Sequence, residues 1–250
     1  VDEETRMMKC EGAASFAYNA QAVSDADSGL IVAQEVFNEE ADAALLTPML
    51  EETAATLGGE TARETLADGG YVSGAQIHEA RQKEFEILLP VEPKNAGPYH
   101  TVNFNHDAQR DMVICPMGEA LTFEREKQAR HGGHTLRLYR CRCSGACPAA
   151  SECSRDKRGR MIEISPYHEA MRAQLAKQRL EGNRLKLKRR GSIIERVFAD
   201  AKEHRGFRRF SFHGLESVRT QWSLLCTAHN LNKMHRWWKE GKLKLAPDGA

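Results

Sequence analysis

Long apolar runs are missing from this 250-residue chain. No stretch approaches the roughly 20 residues that span a bilayer. No basic, apolar leader opens it either, so neither a helical membrane anchor nor a secretion signal is read. Other absences narrow the chemistry. There is no glycine-rich loop to cradle nucleotide phosphates, no Ser-His-Asp arrangement, and no haem or flavin signature. Internal repeats and low-complexity tracts are lacking too. An initiating Met is absent, the first residue being Val1. That start is read as a fragment whose upstream part is missing.

What is there is an ordinary globular composition, 41% hydrophobic and 28% charged, long enough for one large domain or two small ones. The net charge of +1 conceals a polarity. Residues 1–70 carry fifteen acids against three bases. Residues 155–209 carry seventeen Lys and Arg against seven acids. A basic block of that size reads as a surface for a polyanion, most often nucleic acid, or as a solvated helical face.

Residues 18–90 read as strand, strand, helix, strand, helix, strand. The two runs of "FAYNAQAVSDADSGLIVAQEVF" flank a turn in which Gly29 can supply positive φ, which puts Asp25 at the end of the first strand. "ADAALLTPMLEETAATLG" has helical periodicity and ends on Gly58. "ARETLADGG" reads as a short strand ending at Asp68, a helix starts at about Ser73, and "FEILLPV" reads as a buried strand. The alternation predicts an α/β layer around a mixed sheet. Residues 91–165 change character, turning to Pro, Gly, His and Cys, and are expected to form an insertion outside that sheet. From 166 to 240 the chain reads as mainly helical, with a basic loop at 183–191, and 241–250 reads as a tail.

In "GSIIERVFADAKEHRGFRRF" the stripe of Ile194, Val197, Phe198 and Ala201 predicts an amphipathic helix. Glu195 borders that stripe. Lys202 comes seven residues later, two turns on and about 10.5 Å along the axis. If the strands ending at Asp25 and Asp68 are neighbours, their carboxylates and Glu195 would make a hard-oxygen site for Mg²⁺. Such a site suits two-metal chemistry on a phosphodiester. Read by spacing alone, the same residues fit three unrelated surface acids better.

Seven cysteines are present, five of them in one stretch. Without a secretion signal they read as thiols or metal ligands. Cys115, Cys143, Cys147 and Cys153, with Cys141 as a close substitute, are the candidate ligands of one structural Zn²⁺. The alternative is reduced cysteines without metal. His100, His106, His131 and His134 are expected at the surface of the insertion. Trp222, Leu225, Cys226 and His229 have helical spacing and are expected to pack as core. In "RGFRRFSFHG" the Phe side chains either stack on DNA or are simply buried.

"YNAQAVSD…LIVAQEV", "LADGGYVS" and "IIERVFADAKEHRGF" resemble, in order, the three blocks of DDE-type transposases of bacterial insertion sequences. The resemblance runs from about residue 15 to 235. It implies a ribonuclease-H-like fold, with the cysteine-bearing insertion between the last core strand and the catalytic helix. It implies Asp25, Asp68 and Glu195 as catalytic acids holding Mg²⁺ or Mn²⁺. Lys202 and Arg190 would contact DNA phosphate, and Arg205, Arg208 and Arg209 would extend the DNA-binding face. Transposon ends and target DNA would be the partners, met by a homo-oligomer assembled on DNA in the cytoplasm, associated with the nucleoid. The tyrosine that relatives carry shortly before the glutamate has no counterpart near Leu187. Alternatives to a transposase are a non-catalytic DNA-binding remnant and a ribonuclease-H-type nuclease without strand transfer.

Overall fold

The computed structural model describes residues 2–10, 13–130, 132–143, 147–154 and 156–243. His131 and the tail beyond 243 lie outside them. The chain divides into two compact units: 1–89 with 181–250, and 90–180. The second unit therefore includes the helix at 168–179, which the sequence pattern grouped with the later helices.

The first unit opens with a hairpin of β1 (Arg6–Cys10) and β2 (Ala13–Ala17), paired antiparallel. Next come β3 (Asn19–Ser24) and β4 (Ile31–Phe37), also antiparallel, with Asn19 opposite Phe37 and Ser24 opposite Ile31. Gly29 adopts φ +65° in the turn between them, as expected. Helix α1 (Leu46–Thr56) buries Leu46, Met49 and Leu50. β5 (Thr65–Leu66) pairs in parallel with β6 (Ile87–Leu88) across helix α2 (Gly74–Gln82). Ile87, Leu88 and Leu89 are buried, which is why "FEILLPV" reads as a run without alternation. Order and type of these elements match the α/β expectation. Among the described residues the first unit's hydrogen-bonded pairings are two-stranded ladders.

The second unit holds five antiparallel strands: β7 (Asn105–Asp107), β8 (Met112–Ile114), β9 (Ala120–Gln128), β10 (Thr135–Cys141) and β11 (Met161–Ile164). A short helix α3 (Ala150–Cys153) precedes β11, and α4 (His168–Arg179) comes after it. Phe104, Val113, Leu121, Tyr139, Ile162 and Ile164 form a core of its own. The segment expected as an insertion thus packs as a sheet around its own centre. Its strands bury one face only, so charged residues alternate with the core and hide it from a count of apolar runs.

The chain returns to the first unit in α5 (Glu181–Ala199), passes through a π-helical turn at Asp200–His204, and ends in α6 (Leu215–Lys239). The basic segment 183–191 is helix rather than loop. Lys, Arg and Leu are good helix formers, and that outweighs Gly191 in their midst. Ile31, Val36, Val197, Val218, Trp222 and Cys226 make the core, with Ile194 and Phe198 packed against it. The Phe198 and Trp222 rings stack at 5.8 Å, and the Trp222 indole donates to the Gln21 carbonyl at 2.9 Å. These contacts fix α6 against α5 and β3. Phe207 and Phe210 join the same cluster, while Phe212 is exposed. Burial therefore accounts for two of the three Phe side chains in "RGFRRFSFHG".

Candidate active site

Asp68 ends the extended segment after β5 and caps the tight turn Gly69–Tyr71, accepting from the Gly70 amide at 2.7 Å. A second aspartate meets it there. Asp42 begins a one-turn helix, Asp42–Ala44, between β4 and α1. A Cβ placed on Gly70 would lie 2.9 Å from Asp68 Oδ1 and 3.0 Å from Asp42 Oδ2. Both oxygens border one point, so they are no more than about 6 Å apart, and a side chain at residue 70 would press on both.

Side chains from the start of β3 hold Asp42 in place. Its Oδ1 accepts from the Asn19 amide at 2.7 Å and the Gln21 amide at 2.9 Å. Gln21 Nε2 also donates to Asn19 Oδ1 at 2.6 Å, and the Tyr71 hydroxyl donates to Gln21 Oε1. Burial, then the charges of Asp42 and Asp68, push the Tyr71 phenol well above its usual range, so it remains a donor. Asn19 and Gln21 alternate along β3, so both project to one face. Sequence reasoning missed Asp42. The signal was the alternating pair of amides in "YNAQ", which marks a face that holds a carboxylate.

Asp25 is elsewhere, and the expectation that it joins Asp68 is corrected. It lies past the other end of β3, in the hairpin turn, where its carboxylate accepts from the Ser28 amide at 2.7 Å. Its hydrogen bonds with Ser28 hold the acid below the usual carboxylate range. Five strand steps of about 3.3 Å each separate Asn19 from Ser24. Asp25 is thus far beyond the reach of an ion shared with Asp68. A strand end can be read from sequence; which end faces a neighbour's acid depends on pairing across the fold.

Glu195 is exposed on α5, with its carboxylate curled back over Gly191. The helix itself runs beside the Asp68 strand. Lys186 pairs with Glu64 at 2.6 Å, and one turn later the Arg190 guanidinium donates to the Ala67 carbonyl at 3.0 Å. Glu195 lies five residues beyond Arg190, about 7.5 Å along the axis. Among the described residues no three His, Cys, Asp or Glu side chains close on one point. Two hard-oxygen carboxylates meet, which suits Mg²⁺ in kind, and the third stands on the adjoining helix.

The basic residues divide by their contacts. Arg190 is tied to Ala67. Arg205 is tied internally as well, to Asp200 at 2.8 Å and the Ala228 carbonyl at 3.3 Å, which corrects its assignment to an open DNA-binding face. Burial raises the Asp200 acid, but Arg205 and His229, the latter 3.0 Å away, outweigh it and hold the group low. Arg208 pairs with Glu203 at the surface, and Lys202 and Arg209 are exposed. The π-helical turn takes in Lys202, so its angular relation to Glu195 departs from that of a regular α-helix.

The candidate cysteines lie together in the second unit: Cys115, Cys143 and Cys153 pack against its core. Cys141 and Cys143 are paired as a disulfide, with Cα atoms 5.6 Å apart. Cys115, Cys147 and Cys153 remain free thiols in the second unit, and burial raises Cys153 above its usual range. His106 is half-buried, with its ring against those of Tyr139 and His168.

Fold and site together define an α/β protein with two aspartates at the end of a parallel strand, beside a helix rich in bases. A family model described as Transposase DDE domain matches residues 2–144, and a second of the same description matches 114–235. The chain belongs to the DDE transposase family. That family consists of DNA-acting enzymes that typically use divalent metals such as Mg²⁺ or Mn²⁺. No curated protein and no solved structure matches the chain. Among the described residues no helix is long and apolar enough to cross a membrane.

Proposed function

We propose that this chain cleaves DNA at the ends of an insertion sequence and joins the freed ends to target DNA, with Asp42 and Asp68 at its catalytic centre. The observation that supports this reading is the Asp42–Asp68 pair, closed over Gly70 and braced by Asn19, Gln21 and Tyr71. Asp42 takes the place that the sequence pattern gave to Asp25.

Mg²⁺ or Mn²⁺ held by this pair would supply Lewis-acid polarisation of a phosphodiester. The amides of Asn19 and Gln21 occupy one oxygen of Asp42 and leave Oδ2 facing Asp68. Tyr71 stays protonated and keeps Gln21 oriented. Glu195, on the helix beside the Asp68 strand, would be the third acid. Arg190 anchors α5 to the Asp68 strand. Lys202, Arg208 and Arg209 face solvent and would contact DNA phosphates.

Divalent-dependent nicking of a DNA substrate tests the proposal. Asp68→Asn should abolish nicking while DNA affinity is retained. DNA binding without any nicking by the unaltered chain would favour a second reading, a DNA-binding remnant; the absence of tyrosine near Leu187 supports that one. Nicked products with no joined ends would point instead to a nuclease of ribonuclease-H type.

A further inference from the structure

Helix α6 carries a second stripe opposite its core face, with four large apolar residues that the unit leaves exposed. Val218, Trp222, Leu225, Cys226 and His229 face the core. On the opposite side, Ser217, Thr220, Leu224, Thr227, Leu231, Met234 and Trp238 are all exposed. Their spacing alternates three and four residues without a break over 22 positions, the pattern of a two-helix seam. The large members are far from buried: Leu224 is 63% exposed, Leu231 61% and Trp238 53%. A solvated helix face has no need of this repeat.

The seam is graded in size and charge. Its first half carries the small Ser217 and Thr220; its last half carries Met234 and Trp238. The N-terminal end of α6 gathers acids: Asp2 accepts from the Gly214 amide at 2.8 Å, Glu4 from the Leu215 amide at 2.7 Å, and Glu216 lies in the first turn. The C-terminal end carries Lys233, Arg236, Lys239 and Lys242 against Glu240. A parallel pair would set base against base and Trp238 against Trp238. An antiparallel pair sets acids against bases, opposes the helix dipoles, and lays the large residues over the small.

We propose that the occupant of this face is a second copy of the chain, bound antiparallel along α6 through a two-fold axis near Thr227. The contact is isologous, so it closes on a dimer. It does not depend on DNA or on the catalytic reading. The exposed residues make no core contact, so substituting them leaves the fold intact.

The test is sedimentation of the full chain without DNA over a range of concentrations. A reversible monomer–dimer equilibrium is expected, and Leu224→Glu with Leu231→Glu should weaken it at least tenfold. The circular dichroism spectrum and thermal transition of that variant should stay as in the parent. Zero-length cross-linking of a mixture of ¹⁴N- and ¹⁵N-labelled chains reads the orientation. Mixed-label links should join Asp2, Glu4 or Glu216 to Lys239 or Lys242. A chain that stays monomeric to about 100 µM would overturn the proposal, as would a dimer indifferent to the double substitution. Acid-to-lysine links found only within one chain would overturn the antiparallel arrangement.

Discussion

Gly70→Ala tests the candidate site at its narrowest point. The new methyl would stand 2.9 Å from Asp68 Oδ1 and 3.0 Å from Asp42 Oδ2, so at least one carboxylate must give way. Gly70 does not have positive φ, so the backbone accepts alanine and the whole effect falls on the two carboxylates. Gly70 and Asp68 are exposed, so the carboxylate tips can swing aside. If Asp68 moves away it loses its hydrogen bond from the Gly70 amide, worth about 1 kcal/mol. Lower chain entropy in the unfolded state returns about 0.4–1 kcal/mol. The two nearly cancel, so Tm should stay within about 2–4 °C of the parent, and the effect falls on the geometry of the acid pair. Gly69→Ala is the internal control, since a Cβ there meets nothing within 4 Å. In a divalent-dependent nicking assay Gly70→Ala should fall at least a hundredfold, and Gly69→Ala should stay within a few-fold of the parent. Equal nicking by the two variants would refute the closure of Asp42 on Asp68.

Asp42→Asn should abolish nicking as fully as Asp68→Asn, whereas Asp25→Asn should stay within about threefold of the parent, because Asn also makes the hairpin turn; initial-rate comparison checks it. His168 is desolvated in the second unit, and burial lowers its pKa from 6.5 to about 4. The unfolded chain thus takes up the proton first, and that unit should lose about 2–3 kcal/mol as the pH falls from 6.5 to 4. Urea unfolding across that range measures the loss, and His168→Phe should flatten it. Burial pushes the Cys226 thiol up to about 12, so in the native protein at pH 8 it should resist a disulfide reagent that labels Cys115. Mass spectrometry of the labelled peptides decides this.

Local patterns carried much of the fold. The strand pair around Gly29, the amphipathic α1, the strand before Asp68 and the buried run at 87–89 were legible because each writes its own periodicity. The stripe of α6 was legible for the same reason. Contacts between distant residues were not. Asp25 and Asp42 both come after strands, and only the way α1 turns back over β3 decides which of them meets Asp68. The sheet of the second unit was hidden because strands such as "LTFEREKQ" bury a single face. The π-helical turn at 200–204 arises from packing of Asp200 against Arg205 and His229, which no local pattern announces.

The charge polarity of the chain has a structural consequence. Two carboxylates within about 6 Å repel one another by roughly 3 kcal/mol at an effective dielectric of 20. The strongly acidic first 70 residues would raise that cost if they folded alone. They do not: the first unit is completed by the basic α5, which joins Lys186 to Glu64 and lays Arg190 beside the Asp68 strand. The bases therefore offset the field of the acid pair before any metal or phosphate arrives. The same balance accounts for Glu195 in a helix otherwise rich in bases. On the proposed reading it supplies the third acid from the same helix, and the bases beside it in sequence, Arg190 and Arg196, compensate the charge it adds. Neutralising Arg190 by Arg190→Gln should then change two things at once. The loss of a charged hydrogen bond to the Ala67 carbonyl costs about 1.5–3 kcal/mol of stability, and the unshielded acid pair should demand less divalent metal for half-maximal nicking. If Arg190 served DNA alone, stability and metal demand would stay as in the parent, and only DNA affinity would fall.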